Sequence, residues 1–189
     1  MTPPRARHVS PLLLALVLAC GGDAETEQPT TDARAAADAP QMGQSNEADI
    51  EEVADYRLTL DAVEKMHQAQ LNIYAAMQRN PQIAQMASMD AEEFSLDALE
   101  ARFNDVPEVR NAVESAGLSV REYGVVMLAL FQASFAQASL DMGADRDEVL
   151  AATGMRPENL DFVAHHRDDL RRMQDQLEAV AQEADETAQ

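Results

Sequence analysis

Apolar and polar side chains alternate along this chain with the period of an α-helix rather than that of a strand. From about residue 47 to residue 183 the helical pattern is continuous, and no sustained period-2 run rich in β-branched residues interrupts it. The first long helix is predicted over residues 48–79. Within it Val53, Tyr56, Leu60, Val63, His67, Gln70, Tyr74 and Met77 recur at alternating steps of three and four. Six of these eight are apolar, which describes one buried seam. Leu58, Met66, Leu71 and Ile73 widen that face. Asn80-Pro81 stops the helix, because proline disfavours helical geometry in the residue before it.

Shorter elements follow. Ser95 is placed to cap a helix over 96–103, and Pro107 suits the first turn of another that ends at Gly117. Ser119-Val120-Arg121-Glu122 has the form of a capping box and opens a central helix. That helix is apolar almost all round from Tyr123 to Phe135, including the unbroken run Val125 to Phe131. Arg121, Glu122, Gln132, Gln137 and Asp141 bracket too short an apolar span for a membrane crossing. A helix buried among its neighbours fits better, with Ala129, Ala133, Ala136 and Ala138 allowing close approach. A short helix over 145–152 precedes Thr153-Gly154. Pro157 then opens a last long helix striped by Leu160, Val163, Leu170, Met173, Leu177 and Val180.

Three long helices and about three short ones predict an all-α fold, a single helical bundle of ~135 residues, large enough for one core. The predicted domain covers residues 47–184, with 185–189 fraying. No internal repeat stands out.

The segment ahead of the domain has a different grammar. Arg5 and Arg7 precede an apolar run, Leu12 to Ala19, and no acidic residue occurs before Asp23. The run is shorter than the about 20 residues a bilayer span needs and matches a secretory signal. Val17-Leu18-Ala19-Cys20 resembles the lipobox of bacterial lipoproteins, although Leu18 stands where a smaller residue is commoner. The resemblance covers about the first tenth of the chain. It implies cleavage after Ala19 (a signal peptide of residues 1–19), a diacylglycerol on the Cys20 sulfur and usually acylation of the new amino terminus. Gly21, rather than aspartate, resembles the signal that sorts lipoproteins to the outer membrane of a two-membrane cell. Residues 20–46 then read as the lipidated cysteine and an acidic linker, too poor in large apolar groups to offset ordering entropy. As a disordered coil the linker would reach roughly 25–30 Å.

Composition narrows the chemistry. Cys20 is the only cysteine, so an anchored chain has no free thiol, disulfide or thiolate metal site to offer. Removing Arg5 and Arg7 leaves 12 basic side chains against 34 acidic ones, a net −22. Such a surface repels phosphate backbones, which argues against nucleic-acid partners. Lys65 is the only lysine.

A few constellations invite closer inspection. Glu64 and His67 form an E-x-x-H, a spacing that puts carboxylate and imidazole on one helical face, as in di-iron bundles. Those bundles use two such motifs and this chain has one, so His67 is expected to be a hydrogen-bonded core or boundary residue. Asp161, His165 and Asp169 are spaced by four, as a cation grip would be, while a solvated face of Asp–His–Arg pairs is the simpler account. His166 is offset toward Leu170 and Met173, and a joint His67–His166 metal or haem site requires the first and last long helices to meet at that height. Met66, Met77, Met86 and Met89 suggest thioether chemistry but are expected to serve packing. Nucleophile-elbow, P-loop, dinucleotide and H-E-x-x-H motifs are all missing.

The expectation is therefore a membrane-anchored lipoprotein whose non-enzymatic helical domain, with no cofactor, meets an unnamed envelope partner. The alternatives are a metal- or haem-binding bundle using Glu64, His67 and His166, and an envelope holdase-like chaperone.

Overall fold

Capping chemistry sets most of the helix boundaries in the computed structural model, which describes residues 47–83 and 95–187, with side chains described as far as residue 183. The described residues form eight helices and no strand: α1 (Glu47–Asp55), α2 (Leu60–Arg79), α3 (Leu96–Asp105), α4 (Pro107–Ser115), α5 (Val120–Asp141), α6 (Arg146–Thr153), α7 (Pro157–His165) and α8 (Arg167–Thr187). The fold is all-α. The expected export signal, Cys20 and the expected linker to residue 46, with Met86 and Met89, lie outside the described residues.

The predicted caps are in place. Ser95 Oγ accepts from the Ala98 N–H at 3.1 Å, and Ser119 Oγ accepts from the Glu122 N–H at 3.1 Å. Pro107 and Pro157 sit in the first turns of α4 and α7. Asp145 caps α6 by accepting from the Asp147 and Glu148 N–H groups. Gly117 and Gly154 have φ of 87° and 64°, the left-handed geometry that closes a helix without Cβ strain.

Three long helices are present, but five short ones accompany them rather than three, because both terminal long helices are divided. The expected helix over 48–79 is broken at residues 56–59. Asn159 of α7, 1% exposed, accepts from the Leu58 N–H at 2.9 Å and donates to the Tyr56 carbonyl at 2.8 Å. One buried amide thus satisfies two of the polar groups that the break frees, and Thr59 Oγ1 recaps α2 by accepting from the Ala62 N–H. The expected last helix bends at His166, which has φ −101° and ψ 20°. Its N–H still donates to Phe162 O and its carbonyl still accepts from the Leu170 N–H, both at 2.9 Å, so the junction is a kink. Helix α8 continues through Thr187, into the stretch expected to fray.

Helix α5 is the hub. It packs against α1, α2, α3, α4, α6 and α7, and Val125, Val126, Leu128, Ala129, Ala133 and Ala136 are buried along it. Gly124 explains how α3 comes so near: a Cβ there would lie 2.9 Å from Leu96 Cδ2 and 3.0 Å from Leu99 Cδ2. Helix α2 lies against α4 and α5 and touches α8. Its buried face is Ala62, Val63, Met66, His67, Ala69, Ile73 and Ala76, so the predicted seam is displaced to one edge, where Leu60, Gln70, Tyr74 and Met77 are only half-buried. Alanine, too small to mark a seam by hydrophobicity, supplies three of these seven. The length and apolarity of α5 would suffice to cross a membrane, yet 44% of its most apolar window is buried inside the bundle.

Candidate functional site

Glu64 and His67, one turn apart on α2, face a cleft of about 460 Å³ whose other wall is Asp169, Arg172, Met173 and Gln176 of α8. Helices α2 and α8 do meet, as a shared site requires. His67 is buried and its Nε2 lies 3.0 Å from Gln176 Oε1, so it is a boundary histidine with a hydrogen-bond partner, while its buried Nδ1 has none. His166 is not part of the cleft wall. Its Nδ1 lies 3.1 Å from Asp169 Oδ2 and its ring packs on Phe162 at 4.6 Å between centroids. Asp169 stands between the two histidines and is also paired with Arg172.

Among the described residues no group of three or more His, Cys, Asp or Glu side chains gathers to hold a metal ion. The spaced-by-four trio fares no better. Asp161 Oδ1 accepts from Arg146 at 2.9 Å, His165 Nδ1 sits 2.5 Å from the Asp161 carbonyl, and Asp169 faces His166 and Arg172. The kink at His166 falls between His165 and Asp169, and the three side chains are engaged with different partners. Met66 is core and Met77 packs against the core, the role expected of them.

Two features were not visible in the pattern of the chain. The first is a charge cluster. The Arg121 guanidinium contacts Asp49 and Glu52 of α1 at 2.9 and 2.6 Å, and Asp97 and Glu100 of α3 at 2.9 and 3.3 Å. Hydrogen bonds to Glu52 foremost, then to Asp97, Glu100 and Asp49, push its pKa above the ordinary arginine value. Asp49 is 2% exposed, so this guanidinium compensates a buried carboxylate. A signal did exist: a cation in the first turn faces the positive end of the helix dipole, an unfavourable position unless anions gather there.

The second feature is an open apolar face. Phe135 is 51% and Met142 81% exposed, and Phe131 stacks on Phe135 with ring centroids 6.5 Å apart. These residues lie on the stripe Val120, Gly124, Met127, Phe131, Phe135, Ala138 and Met142, spaced by three and four along α5. Helix α3 covers the stripe at Gly124, and beyond Met127 the cover lapses.

Neither a family model, nor a curated protein, nor a solved structure matches this chain.

Proposed function

We propose that this chain is an exported bacterial lipoprotein, held on a membrane by a lipid on Cys20, whose helical domain presents a docking face to a partner in the cell envelope. The exposed Phe135, stacked on half-buried Phe131 of the hub helix, carries the docking half of this reading with exposed Met142, since large apolar side chains grouped at a surface mark interaction sites. The lipobox residues Val17 to Cys20 support the anchor, and Gly21 supports outer-membrane placement. Two or more acyl chains hold such a protein far more durably than one.

The metal- or haem-binding alternative has less support. Its proposed ligands divide between a cleft with one histidine and a separate His166–Asp169 pair. The holdase alternative called for a concave apolar groove, whereas the open face lies along one helix above a closed core.

Expression with a clickable palmitate analogue tests the anchor. The full chain should incorporate label and fractionate with membranes, and Cys20→Ala should lose both. Label that persists in Cys20→Ala, or membrane association unchanged by it, would refute the lipoprotein reading.

A further inference from the structure

The open stripe of α5 continues a surface that already binds a helix, and this deepens the docking reading just given. Val120 and Gly124 are buried, with Leu96 and Leu99 of α3 seated at Gly124. Three and four residues at a time, the same line runs on to Phe131, Phe135, Ala138 and Met142, of which Phe131 and Ala138 are half-buried and Phe135 and Met142 exposed. Ser134 and Ala138 lie beside the phenylalanines, both only half-buried, and their small side chains leave room for a backbone to come close. A face of this shape, with large anchors flanked by small residues, suits the apolar side of an amphipathic helix.

Charge selects among helices. At the Met142 end the chain turns into α6, where Asp145, Asp147 and Glu148 are all exposed. Two cations at this end are committed: Arg146 reaches Asp161, and Arg167, brought in from α8, reaches Asp141. The whole chain carries 34 acidic against 14 basic side chains, so a second copy would bring the same excess of negative charge to the contact. We infer that the face formed by Phe131, Phe135, Ala138 and Met142 receives a cationic amphipathic helix of a partner protein. Apolar anchors fill the stripe, and lysines or arginines of the partner meet the acidic end. The acidic rim speeds encounter and rejects anionic helices, and the phenylalanines hold the complex.

The test uses the full chain in phosphatidylcholine nanodiscs, with empty nanodiscs subtracted, and three synthetic helices read by fluorescence polarisation. A Leu/Lys helix with one apolar face should bind at least about tenfold tighter than a Ser/Lys helix of equal charge, and tighter than a Leu/Glu helix with the same apolar face. Phe135→Glu should weaken the Leu/Lys helix by about tenfold without changing the melting temperature. Should that variant fold poorly, Met142→Glu, at an even more exposed position, is expected to weaken binding in the same direction. Equal affinity for wild type and a folded variant would overturn the proposal. So would equal binding of the Leu/Glu helix, or of the Ser/Lys helix. With photoreactive benzoylphenylalanine replacing Phe135, cross-links to the Leu/Lys helix are expected. Cross-links formed instead to a second copy, or to lipid, in the presence of that helix would assign the face to those occupants and overturn the proposal. Failure here with Cys20-dependent labelling intact would remove the helical partner and leave the lipoprotein reading standing. Loss of Cys20 labelling would do the reverse.

Discussion

The two halves of α5 share one stripe of apolar side chains and meet different fates. In the first half Tyr123 and Gly124 are enclosed, Arg121 gathers four carboxylates from α1 and α3, and a Cβ at position 124 would strike two leucines. In the second half one side is packed through Ala133 and Ala136, while Phe131 is half-buried and Phe135 and Met142 are exposed. Hydrophobicity along a helix therefore says how much apolar surface must be covered, and the length of the neighbouring helices says how much of it is. Helix α3 has 10 residues against the 22 of α5 and cannot cover it all.

The largest effect expected from breaking this contrast is at Gly124. Gly124→Val would force a branched side chain into Leu96 and Leu99 and should destabilise the fold by about 3 kcal/mol, measured by urea denaturation. A loss no greater than that of an exposed substitution would show that α3 is not seated closely there.

Alkaline titration probes the same half. Burial pushes the Tyr123 hydroxyl up to about 12, with a Gln70 hydrogen bond pulling the other way. In the unfolded chain the phenol ionises near 10.0, the ordinary tyrosine value, so between that pH and about 12 the unfolded state binds fewer protons. Stability is then fully present below pH 10 and falls as pH rises, by roughly 2–3 kcal/mol over the interval. Thermal melts of Tyr123→Phe should lose much of that alkaline slope, and an unchanged slope would place its origin elsewhere.

Arg121→Met should cost about 2 kcal/mol, less than a fully buried pair would, because the Arg121 side chain is 32% exposed and solvent screens the three outer carboxylates. Hydrogen exchange should then quicken in α1 ahead of α2. Uniform quickening would mean that the cluster holds the whole bundle rather than the attachment of α1.

Smallest of all should be Phe135→Ser, within about 0.5 kcal/mol of wild type by urea denaturation. A cost near that of Gly124→Val would mean that the second half is as firmly packed as the first, and the docking face would be lost with it.

Much of the fold was legible in the chain. Ser95, Pro107, Gly117, Ser119 and Pro157 mark helix ends through hydrogen bonds or φ restrictions made within a few residues, which need no tertiary partner. The candidate site was legible only in part. Glu64 and His67 do share a cleft, but Gln176, which holds His67, comes from 109 residues further on. The Arg121 cluster spans three helices, and no local spacing announces it.

What the sequence determined alone is the all-α class, the helix starts at Ser95, Pro107, Ser119 and Pro157, and the acidic excess, because each depends on residue type and near neighbours. Tertiary structure decided where long helices break and which apolar side chains stay exposed. Leu58 N–H and Tyr56 C=O could leave helical bonding only because Asn159, 101 and 103 residues away, arrives to replace it. Phe135 remains in the open although six helices pack on α5. Burial is a property of the neighbour as much as of the residue, and the neighbour is chosen by the fold.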